Sequence, residues 1–100
     1  MLTSKQRAFL RKEANSIEPI FQIGKGGVTD EFLKQVALAL ESRELIKIHI
    51  LETALLETKS AGNEVAAALK ADCVQAIGSK FVLYKRANHE KNRKIEFPRK

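Results

Sequence analysis

Tryptophan is absent from this chain, tyrosine occurs once and phenylalanine five times, with most of the phenylalanines at core-type positions. No evident platform is left for stacking unpaired bases, so a nucleic-acid ligand would be held by backbone and shape rather than read base by base. The lone cysteine, Cys73, cannot close an internal disulfide and has no second thiol with which to begin a zinc site; a buried, inert thiol is expected. No run approaches the 18 or so apolar residues of a membrane helix, and Lys5, Arg7, Arg11 and Lys12 interrupt the amino-terminal apolar positions, so neither a span nor a signal peptide fits. A soluble, cytoplasmic protein is the expectation. The two histidines, His49 and His89, are far apart in the chain, and Glu41 and Glu44 read as solvated helix charges rather than an acid and base pair. No catalytic residue, metal or cofactor is therefore expected.

What the chain does have is segregated charge. Its 100 residues, 44% of them hydrophobic, suit one compact domain, and the formal net charge is +6. Residues 1–27 carry five basic and two acidic groups, residues 28–79 five and eight, and residues 80–100 eight and two. Positive charge is confined to the two ends while the middle is acidic, which suggests a polarised surface attractive to a polyanion. Charge added for solubility alone has no reason to segregate.

Local patterns predict an α/β order. Thr3 or Ser4 caps a first helix, with Gln6 placed for a capping box, and Pro19 stops it after about Asn15. Leu10, Ala14 and Ile17 form its narrow inner face; Lys5 and Lys12 project opposite and Arg7 and Arg11 flank it. Ile20 to Ile23 reads as a short strand, and Thr29 caps a second helix running to about Arg43, with Phe32, Leu33, Val36, Ala39 and Leu40 inward. Leu45 to Leu51 alternates, Ile46, Ile48 and Ile50 on one side and Lys47 and His49 on the other, as expected for a strand with one face solvated. Ser60 to Asn63 supply turn and cap residues for a third helix through about Ala71, its inner side Val65, Ala68 and Leu69. Cys73 to Ile77 and Phe81 to Tyr84 flank Gly78-Ser79, a connection suited to a tight hairpin. The order α-β-α-β-α-β-β predicts a single-domain sandwich, a four-stranded mixed sheet with three helices. Ala87 to Lys100 is polar and basic and is read as a flexible tail, in which Ile95 and Phe97 are the residues able to dock.

The element with chemistry is Gly24-Lys25-Gly26-Gly27, between the first strand and the second helix. Several glycines there can expose consecutive N–H groups and let a phosphate approach, the helix start adds partial positive charge, and Lys25 supplies a full charge. It is not a nucleotide-triphosphate loop, because the four-residue spacer and the terminal Lys-Ser or Lys-Thr pair are missing. A purely structural glycine turn is the competing reading of the four residues taken alone.

Four separated motifs resemble one family. Gln22-Ile23-Gly24-Lys25-Gly26-Gly27-Val28-Thr29 before a helix, Glu44-Leu45-Ile46-Lys47-Ile48, Val74-Gln75-Ala76-Ile77-Gly78 and Val82-Leu83-Tyr84-Lys85 are similar to the CRM domain (chloroplast RNA splicing and ribosome maturation), whose stand-alone bacterial form is YhbY-like. The likeness spans roughly residues 1–86, leaving 87–100 as the tail. It implies a fold similar to the C-terminal domain of bacterial translation initiation factor three. It further implies RNA binding through Gly24, Lys25, Gly26 and Gly27 with neighbouring basic surface, and association with the precursor of the large ribosomal subunit. Family members often carry arginine after the last strand's tyrosine; here Lys85 stands there, followed by Arg86. Lys5, Arg7, Arg11, Lys12, Lys85 and Arg86 complete the candidate RNA-binding set, with ribosomal RNA as expected partner. The alternative is a protein-interaction adaptor on ribosome precursors whose basic ends only aid solubility.

Overall fold

The computed structural model describes residues 2–97. Three helices, α1 (Ser4–Ala14), α2 (Asp30–Arg43) and α3 (Thr58–Leu69), accompany four strands, β1 (Phe21–Ile23), β2 (Leu45–Ile50), β3 (Asp72–Ile77) and β4 (Lys80–Tyr84). Their order along the chain is the predicted one. The sheet order is β1-β2-β4-β3; β1 and β2 are parallel, while β4 runs antiparallel to both of its neighbours. β2 and β3 therefore run the same way, and both β1-α2-β2 and β2-α3-β3 are crossovers between parallel strands. Two crossovers of the same hand that step in the same direction across a sheet must lie on the same face. That places α2 and α3 together and leaves the opposite face to α1.

The larger core lies beneath α2 and α3. Ile23, Val36, Leu40, Ile46, Ile48, Val65, Phe81 and Leu83 are buried there, each large side chain contributing about 1.5–3 kcal/mol relative to exposure. Helix α3 approaches the sheet closely at Gly62, where a Cβ would stand 2.9 Å from Cys73 Sγ and 3.1 Å from Phe81 Cγ. The inner side of α3 is consequently Ala61, Gly62, Val65 and Ala66; Ala68, expected inward, is exposed, because the closest line of contact passes through the glycine. Cys73 is half-buried rather than fully enclosed, and burial pushes its thiol pKa up.

The second face is not simply solvated. Leu10 and Ala14 of α1 pack on Leu45, Val74, Val82 and Tyr84, joined at the margin by Ile17, Ile95 and Phe97. Thr3 and Gln6 form the expected reciprocal cap of α1, with Gln6 N–H to Thr3 Oγ1 at 3.0 Å and Thr3 N–H to Gln6 Oε1 at 2.9 Å. The Phe97 ring centroid is 5.7 Å from those of both Phe9 and Tyr84. Residues 87–97 thus fold back onto the domain instead of forming the expected flexible tail; residues 98–100 of that tail lie outside the described residues.

Two carboxylates hold that segment. Glu44 follows α2 with φ 66°, a conformation that favours glycine, and its buried side chain accepts N–H groups from Ala87 (2.7 Å), Lys94 (2.6 Å) and Ile95 (2.8 Å). Glu41, one turn earlier, accepts from Asn88 N (2.7 Å), His89 N (3.0 Å) and Asn92 Nδ2 (3.1 Å). Both readings of these residues as solvated charges are overturned, since the chain that satisfies them lies more than 40 positions away. Burial alone would raise the Glu44 pKa, but the N–H groups of Ile95, Ala87 and Lys94 and the nearby Arg93 outweigh it and hold the carboxyl below its ordinary value. The N–H groups of Asn88 and His89, with the Asn92 amide, lower Glu41 from 4.5 to about 2.

A carboxylate whose folded pKa is depressed stabilises the fold above its unfolded pKa and loses that contribution as it is protonated. Thermal midpoints should accordingly hold steady above pH 4.5 and fall as the pH drops toward 2; a Glu41→Gln variant should show a shallower decline over that window. Glu44→Ala orphans three buried or half-buried N–H donors and should cost about 2–4 kcal/mol, measured by denaturant unfolding, with limited proteolysis reporting release of residues 87–97.

Candidate nucleic-acid interface

The glycine segment sits where β1 runs out of partners. Ile23 O accepts the Leu51 N–H at 2.8 Å, and one residue on, Gly27 N–H donates to Gly24 O at 2.9 Å, closing a turn with Lys25 and Gly26 at its corner. Gly27 has φ 70°, which a side chain would strain. A Cβ at Gly26 or Gly27 would meet nothing within 4 Å, so the turn projects into open space with Lys25 exposed. Among the described residues the amides of Lys25, Gly26 and Val28 have no acceptor. The unbonded amides and the exposed Lys25 ammonium thus lie along one short segment, an arrangement able to bind a phosphate oxygen.

The start of α2 adds less than the sequence suggests. Thr29 Oγ1 already accepts Phe32 N–H at 3.0 Å, and Asp30 and Glu31 occupy the first turn. Their negative charge offsets the helix dipole toward a polyanion. Anion affinity here rests on the loop amides and Lys25.

The remaining candidates do not gather around the loop. Tyr84 pairs with Leu45 at the beginning of β2, and Lys85 N–H donates to Glu44 O at 3.0 Å. Lys85 and Arg86 thus lie at the opposite end of the sheet from Gly24, roughly 17–20 Å away along six residues of strand. Arg7 is at that far end too, with Nη1 to Cys73 O at 3.3 Å and Nη2 to Asp72 Oδ1 at 3.8 Å; it is anchored to β3 and half-exposed. Lys5, Arg11 and Lys12 are exposed along α1. The chain leaving α1 reaches β1 at Ile20, whose N–H donates to Lys47 O at 3.0 Å, so Arg11 and Lys12, in the helix's last turn, lead toward the β1–β2 side.

Other polar side chains take the place beside the loop. Helix α1 covers only the half of its sheet face bearing Leu45, Val74, Val82 and Tyr84. On the uncovered half, register sets Gln22 beside His49 and His49 beside Lys80, with Lys47 one step along β2. The alternation of β2 marks Lys47 and His49 as facing away from the core, but only strand pairing brings Lys80 and Gln22 to them.

Comparison with known proteins then decides the family. A model of the CRS1/YhbY (CRM) domain matches residues 2–85. This chain belongs to that family. A relative in Bacillus subtilis (strain 168), named as the probable RNA-binding protein YqeI, is 44% identical over 98 residues, covering 98% of this chain and all of the relative. A Haemophilus influenzae protein named as RNA-binding is 36% identical over 100 residues, covering 99% of this chain and 97% of the other. The solution structure of SAV1595 from Staphylococcus aureus, described as a candidate RNA-binding protein, superposes with a TM-score of 0.74 at 38% identity over 96% of this chain and all of that one. The match to the CRM model stops at Lys85, so the clasped segment 87–97 lies beyond it.

The two open glycines separate backbone strain from access. Gly27→Ala should destabilise the CRM domain by about 1 kcal/mol or more, because its φ is left-handed, whereas Gly26→Ala, unstrained and unobstructed, should change stability by less than about 0.5 kcal/mol. Differential scanning fluorimetry of the two variants checks the contrast.

Proposed function

We propose that this CRM protein binds structured ribosomal RNA by its phosphate backbone, without catalysis, as an assembly factor for the large ribosomal subunit in the cytoplasm. The observation carrying this reading is the projecting Gly24–Gly27 turn, with free amides and Lys25 at its corner, in a chain whose relatives bear RNA-binding names. The charge distribution supports it: cations along α1 and in residues 80–100, acids in the middle. Those acids are in part already engaged, Glu41 and Glu44 with backbone and Asp72 with Arg7. Scarce aromatics favour a grip on phosphate over base stacking.

Because Arg7 is tied to β3, the grip counts Lys25 with Lys5, Arg11 and Lys12. Neutralising about four phosphates gives a log-log salt slope of roughly −3 to −4. Titrating a ribosomal RNA fragment at several salt concentrations should return that slope, and Lys25→Ala should weaken binding to all sequences alike while reducing the slope by about one. A flat response to salt refutes the reading; an unchanged Lys25→Ala affinity removes the loop from it.

A further inference from the structure

The sheet face that α1 leaves open is polar, cationic and continuous with the glycine turn. Its edge row reads Gln22 on β1, His49 on β2, Lys80 on β4 and Ile77 on β3; Lys47 stands diagonal to Lys80, about 7–8 Å away for such a pair. Gln22 and Lys80 are exposed, while Lys47 and His49 are partly buried with their polar ends on this face. Asp72 is the one acidic side chain on this face of the strands; it is at the far end and Arg7 holds it. Two lysines facing the same way repel one another, and among the described residues no carboxylate forms an ion pair with either Lys47 or Lys80.

Charge complementarity and position select the occupant. Gln22, on β1, lies two residues before Gly24, so a phosphate seated on the Gly24–Gly27 turn has its chain neighbours above this row. We infer that the RNA strand held by the turn continues across the open half of the sheet, its phosphates meeting Lys80 and Lys47 and its ribose edges meeting Gln22 and His49. This rests on reading the turn as a phosphate contact. The lysines attract any nucleic acid. The carboxamide of Gln22 and the imidazole of His49 each present a donor and an acceptor, and these are the groups able to hydrogen-bond a 2′-hydroxyl and so distinguish RNA from DNA. Ile77, 64% exposed at the end of the row, offers an apolar contact to a base or sugar face.

The test uses the full chain and a labelled RNA stem-loop with a single-stranded extension, alongside DNA of the same sequence. Lys47→Gln with Lys80→Gln should reduce the salt slope by about 1.5 and weaken RNA binding about tenfold or more at low salt. Gln22→Ala with His49→Ala should leave the slope unchanged while lowering the preference for RNA over DNA by about fivefold. Circular-dichroism melts confirm that both variants fold, and single substitutions stand in for either double variant that does not. If Lys25→Ala weakens binding and the Lys47/Lys80 variant does not, the sheet path is overturned and the loop reading stands. The converse result removes the loop and keeps the sheet. An unaltered RNA-to-DNA ratio in the Gln22/His49 variant overturns the assignment of ribose recognition to those two residues.

Discussion

Everything about where this protein's surfaces lie depends on the paired crossovers through α2 and α3. Because β1-α2-β2 and β2-α3-β3 step in the same direction across the sheet, both helices must cover the same face. One short helix is left for the other. At 11 residues α1 is about 16 Å long, too short to shield a face of four strands, and it settles over the half where Leu45, Val74, Val82 and Tyr84 offer apolar contact. The exposed half is a consequence of that shortage. Its side chains, Lys47, His49, Lys80 and Gln22, are those that tolerate water.

A second constraint acts at the far end of the sheet. Glu44 occupies a left-handed backbone position where glycine would relieve strain, yet a glycine has no carboxylate with which to collect the amides of Ala87, Lys94 and Ile95. The strain is offset by the closure of residues 87–97 over Tyr84 and Phe9. That closure completes the core under α1, since Ile95 and Phe97 fill its margin. Burial and Glu44's charge push the Tyr84 phenol pKa up, consistent with a ring enclosed by this strap.

The two ends therefore have different characters. One carries the glycine turn, the hairpin at Gly78-Ser79 and the open sheet row; the other carries Arg7, Lys85 and Arg86 with the strap. The proposed RNA contact belongs to the first, where Ser79 O accepts Ile50 N–H at 2.7 Å and ties the hairpin to the end of β2. Basic residues at the second end are partly committed to the fold: Arg7 to Cys73 and Asp72, and Arg93 to Ala87 O at 3.1 Å.

Local signals were enough for much of the architecture, because the interactions that encode it are local. The cap at Thr3, the cap at Thr29, the apolar period of α2, the alternation of β2 and the tight turn at Gly78 each involve residues within a few positions of one another, and each stands where the sequence pattern puts it. The glycine turn was legible for the same reason. Which distant residues meet is fixed by long-range packing instead. Glu41 and Glu44 look like solvent charges until a segment more than 40 residues away supplies their donors. Arg7 and Lys85 look like partners of Lys25 until strand direction carries them to the opposite end of the sheet. Lys80 looks unremarkable until antiparallel pairing sets it against His49. Periodicity reports which way a side chain faces; strand order and register, set by long-range backbone pairing, determine what it faces.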